Sequence, residues 1–180
     1  MAIGDRVQEA LQKFISSDYE NAMVQIAIAI DATAKIKYSK KLRTGERFRK
    51  FIQENQEFIL YVALGCGPRF IFEGDGNMKF MHRGSLAQVV YKYVRNALLH
   101  EGEVSDDIVF RHGPVIGHEG DKFIVSSELI VGMLLSVIGD QKNASQKLKT
   151  EVTLNIAGKK IPVNSIWGRL DIVKASVGFK

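Results

Sequence analysis

Between Ala22 and Ala34 the chain reads Ala-Met-Val-Gln-Ile-Ala-Ile-Ala-Ile-Asp-Ala-Thr-Ala, with only Gln25, Asp31 and Thr33 interrupting the apolar residues. A segment this apolar has no wide polar face to turn toward water. Its length rules out an ordinary strand, so it predicts a helix over residues 19–38 that is buried at the centre of a helical fold. A second stretch, Leu129 to Ile138, is broken only by Gly132 and Ser136. It is about half the length that a membrane span needs, and so predicts another buried helix and no membrane segment. Two apolar helices need amphipathic partners around them, and this sets a mainly α fold class.

The partners follow from period and punctuation. Val7, Ala10, Leu11, Phe14 and Ile15 keep helical spacing after Gly4-Asp5, and Ser16-Ser17-Asp18 ends that helix and caps the next. Thr44-Gly45-Glu46 opens a third helix running to about Leu64, with Phe48, Phe51, Ile52, Phe58, Ile59 and Val62 on its apolar face. Gly65-Cys66-Gly67-Pro68 stops it. Residues 69–73 and 78–81 flank Gly74-Asp75-Gly76-Asn77 and predict an inserted β-hairpin. A fourth helix starts at Ser85 and runs to His100 or Glu101 on the stripe Leu86, Val89, Val90, Tyr93, Val94, Ala97 and Leu98. Short strands are expected at 108–110 and 123–125 around a glycine-rich loop. Ser126-Ser127-Glu128 then caps a fifth helix to about Gly139, and a polar loop follows over 140–149. A hairpin over 152–163, with Pro162 at an edge position, and a short helix near 164–174 complete the chain. The expected organisation is a helical domain over 1–146 and a small β-rich C-terminal appendage over 147–180, packed on the same domain.

Composition narrows the function. Cys66 is the single cysteine of 180 residues, so no intrachain disulfide forms, and a reducing, cytoplasmic setting is the simpler expectation. The opening MAIGDRVQEALQKF lacks the apolar core of a secretory leader. The formal net charge is +5, a mild bias, but eight of the basic residues fall between Lys35 and Lys50: Lys35, Lys37, Lys40, Lys41, Arg43, Arg47, Arg49 and Lys50, opposed only by Glu46. Such a run is either a solvated loop with the first turn of a helix, or a track for a polyanion.

Several chemistries are set aside. His112 and His118, with Glu119 and Asp121 nearby, offer too few closely placed donors for a structural metal site. No metal and no cofactor is expected. Gly65-Cys66-Gly67 lacks the third glycine and following helix of a dinucleotide loop, and no P-loop lysine pattern exists. Cys66 sits at a helix C-terminus, where the dipole raises a thiol pKa.

The end of the fourth helix remains. On an α-helix Asn96 and His100 share a face, and Arg95 stands about 140° from His100. An always-charged Arg beside a titratable His suits phosphate chemistry: the first holds oxygens, the second moves a proton near neutral pH. The same two residues also suit capping of their own helix carbonyls.

Arg95-Asn96, three intervening residues and His100 resemble the Arg-x(4–6)-His signature of the HEPN superfamily in its Arg-Asn-x-x-x-His form. The motif stands at the end of a late amphipathic helix. It follows a long buried helix whose Ala27-Ile28-Ala29-Ile30-Asp31-Ala32-Thr33-Ala34-Lys35 is similar to the Ala-rich second helix of such proteins. The likeness is loose over 5–140 and close over 91–102; the 69–81 hairpin and the β-rich tail depart from the minimal bundle. It implies a HEPN-like antiparallel helical bundle and a metal-independent endoribonuclease of toxin–antitoxin or phage-defence type. In that reading His100 is the general base or acid, Arg95 stabilises the pentacoordinate phosphate and Asn96 orients them. The products carry 2′,3′-cyclic phosphate. A homodimer brings two motifs together, RNA is the partner, and Lys35, Arg43 and Arg47 contact its backbone. An antitoxin or other partner protein is also implied. The other reading is a non-catalytic HEPN-like scaffold that binds a nucleotide or a protein.

Overall fold

The apolar segments expected at the centre are where the helices pack. The computed structural model describes residues 2–65, 86–96, 107–156 and 158–179. Over these the chain is mainly helical, with two small sheets. Helix α1 is Ile3–Ile15, α2 is Tyr19–Lys37 and α3 is Thr44–Leu64. Local chemistry sets their ends. The Asp18 carboxylate accepts the Asn21 amide at 3.4 Å at the start of α2, and Glu46 accepts the Arg43 amide at 2.7 Å at the start of α3. Gly65 closes α3 in the left-handed region at φ 63°.

Helix α2 packs on α1, α3 and helix α5 (Glu128–Gly139), and α3 lies along α5. Within α5 only Glu128 and Val131 escape full burial, so this is the innermost helix. The expectation of a wholly central α2 needs correction. Its Met23, Ile26, Ala27 and Ile30 are buried, but Ile28 is 38% and Ile36 54% exposed. The long helix wraps the core along one side and leaves the other uncovered.

The fourth helix differs from its expected course. Residues Leu86–Val90 form α4, and from Tyr91 to Asn96 the chain follows a π-helical path. The α-helical period expected for this helix therefore does not hold over Tyr91–Asn96. Such turns occur mostly as single bulges, frequently at functional sites. The predicted 69–81 hairpin and the end of this helix, His100 included, lie outside the described residues.

The short strands form a sheet of order β1-β3-β2: β1 Ile108–Arg111 runs parallel to β3 Lys122–Ser126, and β2 Ile116–Glu119 runs antiparallel on its other side. The glycine-rich loop expected between β1 and β3 thus contains a strand, joined to β3 by Gly120-Asp121 with Gly120 at φ 59°. Its only strong strand former is Ile116, and backbone pairing with β3 organises the rest.

The sheet meets α5 at a polar corner. Glu128 Oε2 accepts from the Ser126 hydroxyl at 2.6 Å and from the Gly113 amide at 3.2 Å, and Oε1 lies 2.6 Å from His112 Nδ1. Partial burial pushes the Glu128 carboxyl up. The Ser126 hydroxyl, its own amide, the Gly113 amide and the His112 charge outweigh this and hold it below the usual glutamate range. A carboxylate lowered in the folded state contributes stability that is complete above its unfolded pKa and is lost as pH falls through the folded value. Glu128→Gln is expected to melt below wild type at about pH 7, with the gap closing toward about pH 3. Thermal unfolding across that range checks this, and a gap independent of pH would assign the loss to packing.

The C-terminal segment shares the same core. Strands β4 Thr153–Ile156 and β5 Lys159–Pro162 pair antiparallel, with Thr153 opposite Pro162. Val163, Ile166, Trp167 and Val173 are buried with the helices. The segment predicted as a polar loop over 140–149 is tied down throughout. Asn143 is fully buried and donates to Thr33 Oγ1 at 3.0 Å and to the Val137 carbonyl at 2.7 Å. Gln8 accepts the Lys149 amide at 2.8 Å. The last helix, α6, is Leu170–Val177 and starts later than the predicted 164. A 3-10 turn at Val163–Ser165 and Gly168 at φ 72° come first.

Candidate nucleic-acid interface

The basic run from Lys35 to Lys50 spans the end of α2, a six-residue connection and the first turns of α3. The fold divides its eight cations into groups with different tasks. Lys37 is withdrawn into the structure. Its ammonium lies 2.9 Å from Asp140 and 3.2 Å from Glu54, over the rings of Tyr38 and Phe51. Burial lowers its pKa, but the carboxylates of Asp140 and Glu54 more than offset this and raise it overall. Tyr38 donates to Glu54 at 2.6 Å, and burial together with the Glu54 charge pushes its phenol up. Lys37 is thus a structural ion-pair partner that ties α2 and α3 to the end of α5.

Lys35, Lys40 and Arg47 are brought together. All three line one open groove of about 690 Å³ between α1, α2 and α3. Arg47 reaches Thr44 Oγ1 at 3.3 Å with its Nη2, while its Nε is buried without a partner. Two of the three cations expected on RNA therefore share one surface. The third, Arg43, is exposed at the head of α3 and is not among the residues lining that groove. Lys40 is the member that the sequence did not single out. It lies in a connection, where no helical period relates it to Lys35 or Arg47.

The second arrangement joins α3 to the π turn. The Arg49 guanidinium stacks over the Tyr91 ring with its carbon 4.4 Å from the centroid, within cation–π range. The same ring lies 6.1 Å from that of Phe48. It also occupies the space where Gly45 has no side chain: a Cβ at Gly45 would fall 2.7 Å from Tyr91 Cζ and 2.8 Å from Cε2. Gly45, Phe48 and Arg49 form a seat on α3 for Tyr91, the first residue of the π segment, and Arg95 and Asn96 are its last two residues. His100, the third expected catalytic residue, lies outside the described residues. The missed signal was Tyr91, which reads as ordinary helix filler; only the fold sets it against Gly45, forty-six positions earlier.

His118, weighed as a metal ligand, stands on β2 opposite Phe123, and His112 is held by Glu128. Among the described residues no three His, Cys, Asp or Glu side chains gather into a metal-binding group, and no helix is long and apolar enough to cross a membrane.

No curated protein and no solved structure matches the chain. One family model, Rv1289, matches residues 2–180, and with nearly the whole length covered the chain belongs to the Rv1289 family.

Proposed function

We propose that this protein is a metal-independent endoribonuclease of HEPN type, acting as a homodimer. The observation that carries the reading is the seating of Tyr91 on Gly45, Phe48 and Arg49. It couples the π turn bearing Arg95-Asn96 to the basic start of α3. Phosphate-holding charge and the motif resembling the HEPN signature then belong to one structural unit.

In this mechanism the RNA 2′-hydroxyl attacks its own phosphorus. His100 removes the hydroxyl proton as the O–P bond forms, and Arg95 stabilises the negative charge gathering on the pentacoordinate phosphate. The bond to the 5′-oxygen breaks, that oxygen takes a proton, and the products are a 2′,3′-cyclic phosphate and a 5′-hydroxyl. Asn96 orients Arg95 or His100 by hydrogen bonding. Lys35, Arg43 and Arg47 neutralise backbone phosphates, so affinity falls as salt rises. The dimer supplies Arg95 from one protomer and His100 from its partner. The cytoplasm, where RNA is available to it, is the compartment this reading assigns.

The test is purified protein with 5′-labelled, mixed-sequence RNA in EDTA beside His100→Ala. Fragments ending in cyclic phosphate from wild type alone support the proposal. Equal cleavage by both sinks it, and no cleavage by either transfers the reading to a non-catalytic scaffold. The seat itself gives a second expected result. Gly45→Ala forces the Tyr91 ring aside, and a displacement of that kind far from the reacting atoms costs about 10-fold or more in rate. Its melting temperature is expected within a few degrees of wild type, since alanine also favours the helix by up to about 1 kcal/mol. Cleavage kinetics beside a thermal melt separate the two effects.

A further inference from the structure

Helix α2 leaves uncovered a stripe that apolar helices ordinarily bury. Ile28, Ala32 and Ile36 follow at four-residue spacing and so share a face. Ile28 is 38% and Ile36 54% exposed. The stripe runs into the groove of about 690 Å³, which is lined by the aliphatic Ile3, Ala32 and Ile36 and by the basic Lys35, Lys40 and Arg47. Among the described residues lining it, none is acidic.

The chemistry of this face selects its occupant. A nucleobase binds single-strand sites by stacking on aromatic rings, and none of the described residues lining this groove is aromatic. A second copy docking through the same face by two-fold symmetry would bring two sets of Lys35, Lys40 and Arg47 into one interface with no acidic residue among the described lining to pair with them, and like charges oppose association. A ligand that is aliphatic along one stripe and anionic beside it satisfies both the apolar and the basic lining residues, and an amphipathic helix presents that pattern. We propose that the α2 face is the docking site for an acidic amphipathic helix of a partner protein. Its aliphatic side chains, spaced three and four apart, pack on Ile28, Ala32 and Ile36. Its carboxylates face Lys35, Lys40 and Arg47. The proposal does not depend on the ribonuclease reading, although a bound helix and an RNA backbone would compete for Lys35 and Arg47.

The probe is a fluorescent peptide of about 18 residues, with leucines on one helical stripe and glutamates flanking it. A second peptide of the same composition, scrambled to break the stripe, is the control. Anisotropy with the full chain is expected to show the striped peptide binding about 10-fold tighter or more than the scrambled one. Ile36→Glu and Lys40→Glu are each expected to weaken it about 10-fold, with thermal melts close to wild type because both positions are exposed. Equal binding of the two peptides, or unchanged binding by Ile36→Glu, overturns the proposal. Two other outcomes overturn it by naming another occupant. One is a single-stranded RNA whose affinity falls about 10-fold in Ile36→Ala, which removes the apolar contact without adding charge, while the striped peptide binds that variant as it binds wild type. The other is a dimer by sedimentation that Ile36→Glu dissociates. Wild-type RNA cleavage by Ile36→Glu, together with lost peptide binding, shows that the docking face and the cleavage site stand or fall separately.

Discussion

Mixing the Arg95→Ala and His100→Ala variants is expected to restore RNA cleavage that neither performs alone. Each single variant removes one of the two groups that act on the phosphate. Proton transfer contributes about 10²- to 10⁴-fold and charge stabilisation of the transition state about 10²- to 10³-fold, so each alone should fall by at least about 100-fold. A composite site draws its arginine from one protomer and its histidine from the other. In a mixed dimer, the His100→Ala chain still brings Arg95 and the Arg95→Ala chain still brings His100. Random exchange makes about half of the dimers mixed, and each keeps one of two equivalent ways to engage RNA, so roughly a quarter of wild-type activity should return. The measurement is the initial rate of cyclic-phosphate formation in EDTA, after the variants are mixed and allowed to exchange. Inactivity of the mixture, with exchange shown by mass-tagged chains, would put Arg95 and His100 to work within one chain and end the shared-site mechanism.

How much of this was legible beforehand depends on whether the signal was local. Helix α3 begins at Thr44 and ends at Leu64 as its capping residues and Gly65 dictate. Helices α1, α2 and α5 fall within a residue or two of their expected ends for the same reason. Capping and period act over one or two turns, so a single sequence carries them. Strand β2 was not legible, because only Ile116 among its residues favours a strand and the rest pair through backbone groups supplied by β3. The π path of Tyr91–Asn96 was hidden too: Leu86 to Val94 keep an acceptable α-helical stripe, and nothing in that stripe marks a change of period.

The candidate site shows the same division. The concentration of charge between Lys35 and Lys50 was plain, but its partition was not. Lys37 looks like any other lysine in the run, yet Asp140, more than a hundred residues away, takes it out of service. Lys40 joins Lys35 and Arg47 only because the α2–α3 connection folds back beside the N-terminus of α1. Ile28 falls within the apolar run expected to be buried and Ile36 carries no signal of its own, yet both are exposed, because apolar content alone does not say which side of a helix a fold will cover. That mismatch between pattern and burial is the physical basis for a docking face.

Gly132→Leu is expected to be the most damaging single substitution in the helical frame. Gly132 lies on α5 where it crosses α3, and a Cβ there would fall 2.7 Å from the Ile59 carbonyl oxygen and 2.9 Å from its Cα. Both obstacles are backbone inside α3, so no side-chain rotation relieves them. Ser136, one turn on, is the next smallest side chain on this stretch of α5 and turns its hydroxyl back to the Gly132 carbonyl at 2.8 Å, which keeps this face of α5 narrow. A glycine inside a helix gives up about 1 kcal/mol relative to alanine, and here that loss is offset by close packing of α5 against α3. Leucine recovers most of the propensity but must push α3 and α5 apart, and overpacking of that size costs about 3 kcal/mol. For a chain of this length that lowers the melting temperature by about 6–12 °C. Gly117→Ala is the control: it lies on β2 with nothing within 4 Å of the added carbon, so its melt should stay within a degree or two of wild type. A Gly132→Leu protein that melts with the control would mean that α3 and α5 have room to spare. Helix α3 would then be a loose support for Gly45, Phe48 and Arg49, and the seating of Tyr91 on which the ribonuclease reading rests would lose its rigid base.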